Sequence, residues 1–286
     1  MFKAFFDESI DRDKTVLAIG GFFFEPLHAR KLNQAWKRTL AHKDFGITDF
    51  HMTDCANSAP PFDKLGKGPC DRLARSLIKH IRHHAEFQVA VSVNIAEYVK
   101  CARMISEESG LDWLFSFGGP YTFIAQMAIN NIAEYCDERA YRGLITYYFE
   151  QGTSFQKEAE RFLGLIPFSP RLLTKYRYYT HMFVPKKGPA GMRLLQAADI
   201  LAWEWMRDRT EQFEQPPVRP RRLSLSFLLK NRLGRREHLR ESEIMPRFRD
   251  TLDANIKILA TGWKPYVRSE FDRLADIALS LQSIPK

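Results

Sequence analysis

Cysteine is scarce in this chain. The 286 residues include four, Cys55, Cys70, Cys101 and Cys136, none at the Cys-x-x-Cys spacing of a zinc or redox motif. Four would permit two disulfides, but a chain this size does not need them for stability, and reduced, mostly buried thiols are expected. Long apolar runs are also missing: none approaches the ~20 residues that span a bilayer, so no membrane partner is expected. The N-terminus enters a strand-like segment without the basic stretch and cleavable apolar run of a leader, which reads as a cytoplasmic protein. There is no internal repeat and no low-complexity segment. Lys186, Lys187 and the turn at 188–191 are placed to touch phosphates but lack P-loop spacing. Ser9 and Ser154 stand in no nucleophile-elbow context, which leaves a serine hydrolase unsupported.

What is present is the composition of a packed domain, 45% hydrophobic and 13% aromatic, in a chain long enough for one large domain with or without an extension. Apolar and β-branched runs predict strands at 2–6 and 15–24, joined through the polar turn Asp11-Arg12-Asp13 as a hairpin. Further strands are predicted at 87–95, 144–149 and 175–184. Helical spacing is read at 28–43, 71–84, 120–135, 155–165 and 192–207, with irregular chain over 47–61 and a Pro/Gly loop at 60–68. A hairpin followed by alternating strands and helices implies an α/β fold, a mixed sheet flanked by helices. Pro216, Pro217 and Pro220 mark a shift in composition, so the core is drawn as 1–213 and a basic, mainly helical extension as 214–286. Two amphipathic faces in that extension, Phe248/Leu252/Ile256/Leu259 and Phe271/Leu274/Ala278/Leu281, are expected to dock it on the core.

The net charge of +9 is regional. Between Pro216 and Arg249 ten basic residues face three acids, which is +7 of the total. Arg221, Arg222, Arg235 and Arg236 are the candidate contacts to a polyanion such as nucleic acid. A solvated, soluble tail is the alternative.

Three acids interrupt or close apolar elements. Asp7 ends the run 2–6, Glu150 ends the run 144–149, and Asp199 lies inside the apolar segment 194–205. A buried carboxylate without a partner is costly, and one divalent cation would satisfy all three. Asp7 and Glu150 sit at the carboxyl ends of strands, where functional groups of open α/β sheets collect. Neighbouring strands about 4.8 Å apart would bring them onto a common ion. All-oxygen ligands suit Mg2+ or Mn2+, and a pair of such ions serves phosphoryl transfer. Glu8 is either a supporting acid or a neighbour facing the other way. His51, with Asp54 close by, would orient a water or a phosphate, or is a satisfied loop histidine. His80 and His84, four residues apart, have the spacing of a zinc pair, but no acid or cysteine accompanies them in sequence. With His83 they are read as surface.

The Phe-Phe-Asp-Glu-Ser opening, the short segment around Phe50-His51, the strand-end acid Glu150 and the run Leu195-Gln196-Ala197-Ala198-Asp199-Ile200-Leu201-Ala202 resemble, in order and spacing, the bacterial family called domain of unknown function 3800. The resemblance covers about residues 2–205. It implies a ribonuclease H-like fold with a divalent-metal carboxylate site. This chain has Ile10 where relatives usually have Gly, and a Glu at 150 where related ribonuclease H-like sites often have Asp. The basic extension inherits nothing from it. The functions in competition are a metal-dependent nuclease-like phosphodiester hydrolase with catalytic Asp7, Glu8, His51, Glu150 and Asp199, and an inactive nucleic-acid-binding or regulatory module of the same fold. A third is an interaction protein whose tail docks a partner chain or a second copy.

Overall fold

A computed structural model of the chain describes residues 1–110, 112–113, 118–188, 191–213, 220–230 and 232–260, and side chains up to residue 253, that of Phe213 excepted. One compact unit runs from Met1 to Arg240. It is built on six strands: β1 (Phe2–Ile10), β2 (Val16–Phe24), β3 (Phe87–Asn94), β4 (Ile145–Glu150), β5 (Tyr178–Val184) and β6 (Gly234–Leu239). Their order in the sheet is β5-β4-β1-β2-β3-β6. The pairs β1–β2 and β2–β3 are antiparallel, while β1–β4, β4–β5 and β3–β6 are parallel. The sheet is thus mixed and flanked by helices, as the sequence pattern implied.

The hairpin follows from one aspartate. Asp11 Oδ1 accepts from the backbone N–H groups of Thr15 and Val16, each at 2.7 Å, and the Asp11 carbonyl accepts from Lys14 N at 3.0 Å. The side chain does the work of a turn carbonyl, as aspartates commonly do. It sets the register that puts Phe5 opposite Phe22 and Asp7 opposite Gly20.

Eight helices of this unit fix the site and the core: α1 (Pro26–Leu40), α2 (Met52–Asn57), α3 (Lys67–His84), α4 (Ile95–Ser109), α5 (Pro120–Glu138), α6 (Gln156–Leu165), α7 (Pro170–Lys175) and α8 (Arg193–Phe213). A short helix α9 (Leu223–Leu229) follows. α8 is buried almost all round, from Leu194 to Met206, and a helix apolar on every side belongs in the interior. It lies on the face of β1 and β2 that carries Phe5, Ala18 and Phe22, beneath α1, α3 and α9. α4 and α5 cover the other face at β2 and β3. Gly20 makes the contact with α8 close: a Cβ there would stand 2.4 Å from Ala202 N and 2.8 Å from Ala202 Cα. No residue but glycine leaves the helix backbone room at that distance.

Several elements differ from the sequence reading. α2, α4 and α7 form in segments given no helix. Residues 223–239, assigned above to the basic extension, supply α9 and the edge strand β6. Arg222 Nε donates to the buried Glu204 at 3.0 Å, and Arg221 Nε to the buried Asp208 at 3.1 Å. Both acids are on α8, so two arginines chosen as nucleic-acid contacts act as internal counter-ions. Arg235 pairs with Glu134 and, at 2.5 Å, with Glu138 on α5. Arg236 donates to the carbonyls of Leu229 and Arg232. All four cysteines are buried and reduced. A second unit begins at Glu241 with α10 (Glu241–Ala260). Its first turn holds Glu241 and Glu243, acids that favour a helix N-terminus. The side chains of Ile256 and Leu259, and the whole face at 271–281, lie outside the described residues. Among the described residues no helix is long and apolar enough to cross a membrane.

Candidate functional site

β1 and β4 run parallel with Phe6 beside Phe149. One residue further along, Asp7 and Glu150 are therefore neighbours, and both point to the α8 face because Phe5 and Tyr148 do. Asp199 lies one helical turn before Ala202, the residue seated on Gly20, whose strand partner is Asp7. The close approach of helix and sheet thus carries Asp199 over Asp7, which lies inside β1, three residues before its end at Ile10, and not at the strand end that the apolar run 2–6 suggested. The three acids proposed from sequence converge.

What they converge on is an ammonium. Lys186 Nζ lies 2.7 Å from Asp7 Oδ2, 2.9 Å from Glu150 Oε2 and 3.4 Å from Asp199 Oδ1. Lys186 is 5% exposed, Asp7 fully buried and Asp199 3% exposed, so Glu150, with a side chain 24% exposed, is the member nearest solvent. The remaining oxygens are also held. Asp7 Oδ1 accepts from Glu8 N at 3.0 Å, and Asp199 Oδ2 accepts from Met52 N at 2.6 Å, at the first residue of α2.

Gln196 organises the surroundings. Its Oε1 accepts from Trp36 Nε1 at 2.9 Å and Phe50 N at 3.1 Å, while its Nε2 donates to the Lys186 carbonyl at 3.0 Å and to Asp49 Oδ1 at 3.1 Å. A single buried amide thereby ties α1, the segment before α2 and the lysine turn to α8. His51 is held in turn: its Nδ1 is 2.9 Å from Asp54 Oδ2 and its Nε2 is 3.7 Å from Asp199 Oδ1. Lys187 Nζ donates to the same Asp54 oxygen at 3.1 Å.

The electrostatics are those of crowded acids. Burial, reinforced by the charges of Asp199 and Glu150, raises the Asp7 carboxyl well above its usual range despite Lys186. Burial would also raise Glu150, but the adjoining Asp7 carboxyl and the Lys186 ammonium outweigh it and leave that group lowered. The Lys186 pKa moves up: burial opposes its charge, and the three carboxylates more than compensate. Glu8 is separate. As its place in the strand requires, it leaves Asp7 for the opposite side of β1, where Oε2 is buried without a hydrogen bond. Burial, then the Glu150 charge, pushes it to about 7. The donors are all hard carboxylate oxygens, and one ammonium is shared among three acids. That set fits a divalent cation such as Mg2+ or Mn2+.

Lys186 was weighed from sequence as a phosphate contact, not as a member of this cluster. A signal was present, since it lies two residues past the carboxyl end of the strand predicted at 175–184. Of the α3 histidines read as surface, His83 is exposed, while His80 and His84 are not. His80 Nε2 pairs with Thr39 Oγ1 at 2.9 Å. His84 is buried, and burial with the neighbouring His83 and His28 pushes its pKa down to about 4. Searches against protein-family models and against curated proteins match nothing to this chain.

Proposed function

We propose that the cluster of Asp7, Glu150 and Asp199 is the centre of a metal-dependent, nuclease-like phosphodiester hydrolase acting on nucleic acid, on a ribonuclease H-like core. The observation that carries the reading is the convergence of three carboxylates, from two neighbouring parallel strands and one buried helix, on a single point that already holds positive charge. The mixed sheet and the resemblance of the motifs around Asp7, His51 and Asp199 support it. Asp7, Glu150 and Asp199 would hold Mg2+ or Mn2+. When bound, the metal supplies stabilisation of negative charge on the attacking and leaving oxygens. Lys186 stands on a turn whose Gly188 has φ +83°, and its ammonium would pass from the carboxylates to a phosphate oxygen. His51, fixed through Nδ1 by Asp54, presents Nε2 beside Asp199 and would hold a proton for the leaving oxygen. Glu8 supports this set from behind the strand.

Lys186 itself favours a second reading. An ammonium that satisfies all three acids does what a cation would do, as in a nucleic-acid-binding or regulatory module of the same fold without turnover. Manganese calorimetry combined with cleavage assays on single- and double-stranded DNA and RNA separates the two. The hydrolase reading expects Mn2+ binding and cleavage in wild type, both lost in Asp199→Asn and Glu150→Gln. Nucleic-acid binding without Mn2+ uptake or cleavage would establish the second reading instead.

A further inference from the structure

A second group of metal-type donors lies at the other end of the sheet. The hairpin register sets Asp7 opposite Gly20 but Lys3 opposite Phe24, so the residues that follow β2 are remote from the carboxylate centre. Glu25 precedes the first turn of α1, His28 lies in that turn, and Glu86 occupies the junction between α3 and β3. The backbone N–H of Glu86 donates to the Phe23 carbonyl at 2.9 Å, which fastens the two junctions together. One donor atom from each of Glu25, His28 and Glu86 lies within 4.8 Å of the other two, and His28 Nδ1 is 2.5 Å from Glu86 Oε1.

The second observation is independent of these acids. His84, the last residue of α3, is 8% exposed, and its Nδ1 is buried with no hydrogen-bond partner. Its ring centroid is 6.0 Å from that of His28. Buried ring nitrogens are normally partnered, and this orphan belongs to the ring that neighbours His28, itself one of the three grouped donors. Two cations stand near: Lys31 at His84 and Arg232 at Glu86. Arg232 is engaged with the Ala85 carbonyl, and neither cation meets the need of an imidazole lone pair.

We propose that Glu25, His28 and Glu86, completed by His84, bind a divalent transition-metal cation of the zinc class, which clasps the β2–α1 junction to the α3–β3 junction. Two imidazoles and two carboxylates form a borderline nitrogen–oxygen set of the kind zinc takes in four-coordinate sites. The role is structural: it joins two chain segments, 58 residues apart between His28 and Glu86, at a sheet end that lacks the carboxylate centre.

The test uses the full chain, stripped of metal with a chelator and titrated calorimetrically with zinc chloride. Wild type, Asp199→Asn, His28→Ala, His84→Ala and Glu86→Gln are compared, with thermal melts and circular dichroism to establish folding. Wild type and Asp199→Asn are both expected to keep one zinc equivalent that depends on His28 and to melt higher with zinc; a further equivalent present in wild type and lost in Asp199→Asn belongs to the carboxylate centre. His28→Ala, His84→Ala and Glu86→Gln should each bind at least ~10-fold more weakly, with the zinc-induced rise in melting temperature reduced. His28 is about a third exposed, so its removal tests the site with little risk to the core. Absence of zinc binding in wild type would overturn the proposal. So would binding that persists unchanged in folded His28→Ala and Glu86→Gln, or that disappears with Asp199→Asn alone. Loss of activity in Asp199→Asn with zinc uptake intact bears on the carboxylate centre and leaves this site standing.

Discussion

Lys186 is the residue on which the carboxylate centre turns, because it supplies positive charge to three acids at once, two of them buried. Breaking a buried ion pair by removing one partner costs about 3–5 kcal/mol. Lys186→Met should therefore destabilise the metal-free protein strongly, leaving Asp7, Glu150 and Asp199 facing one another. If a divalent ion takes the same position, Mn2+ should restore much of that stability and bind the variant more tightly than wild type. Melts of both proteins with and without Mn2+ measure this, and a Lys186→Met melt insensitive to Mn2+ would remove the metal from the site. Glu8 gives a pH signature. Its folded pKa, about 7, is raised above the ordinary carboxyl value of 4.5, so the folded state holds the proton more tightly than the unfolded chain. The contribution is present in full below pH 4.5 and is lost as pH rises through 7. Glu8→Gln, which keeps the neutral form's shape, should thus gain stability relative to wild type between pH 5 and pH 8. Denaturant titrations at those two pH values read the difference, and an equal difference at both would show that Glu8 does not titrate there. Asp7, Glu150 and Asp199 were legible in the sequence because each is an acid against apolar neighbours. Lys186 was legible as a lysine just past a strand end but not as a member of the cluster, because its partners are 13 to 179 residues away and lysines are ordinary in turns.

At the scale of elements, the site depends on how near α8 can come to β1 and β2. Gly20 sets that distance, since an added Cβ would meet backbone atoms of Ala202 that cannot turn aside. Gly20→Ala should push α8 away, cost roughly 1–3 kcal/mol as overpacking does, and displace Asp199 from Asp7. The expected result is a folded protein with a lower melting temperature and a weaker Mn2+ response than wild type. A variant that melts lower with an unchanged Mn2+ response would separate the helix contact from the site. The pattern of apolar residues anticipated β1 to β5 and α8, because alternation and unbroken apolar runs report burial directly. It did not anticipate β6, whose sequence Gly-Arg-Arg-Glu-His-Leu contains one aliphatic residue. This strand forms because β3 offers an unpaired edge, with Val89 beside Arg235 and Val93 beside Leu239, and backbone pairing needs no side-chain pattern. α4 was missed for a related reason: Asn94 caps it through Glu97 N at 3.0 Å, where the preceding strand's alternation dominated the reading.

At the scale of the molecule, the question is what the basic stretch does. Read along the chain, ten cations against three acids point outward to a polyanion. In three dimensions Arg221 and Arg222 return to α8 and meet the buried Asp208 and Glu204, and β6 carries Arg235 and Arg236 to the sheet edge. Sequence reports charge locally, while the acids that neutralise it come from α5 and α8, far along the chain. Substituting all four arginines together would therefore mix loss of binding with loss of fold, and single substitutions are needed. Arg222→Ala leaves a fully buried Glu204 carboxylate without its cation, and burial already raises the Glu204 pKa. An unsatisfied buried acceptor costs about 1–3 kcal/mol, more when charged, so this variant should melt distinctly lower. Arg235 faces Glu134 and Glu138, whose side chains are about half exposed or more. Pairs of that kind contribute little, and Arg235→Ala should stay within about 0.5 kcal/mol of wild type. If nucleic acid is the ligand and this edge touches it, Arg235→Ala should weaken binding equally for unrelated sequences and reduce the salt dependence by about one phosphate contact. Melting curves identify which arginines hold the fold, and salt titrations of binding then read the one that does not. Arg235→Ala with wild-type affinity and an unchanged salt slope would assign the sheet edge to solubility and move any nucleic-acid contact elsewhere on the molecule.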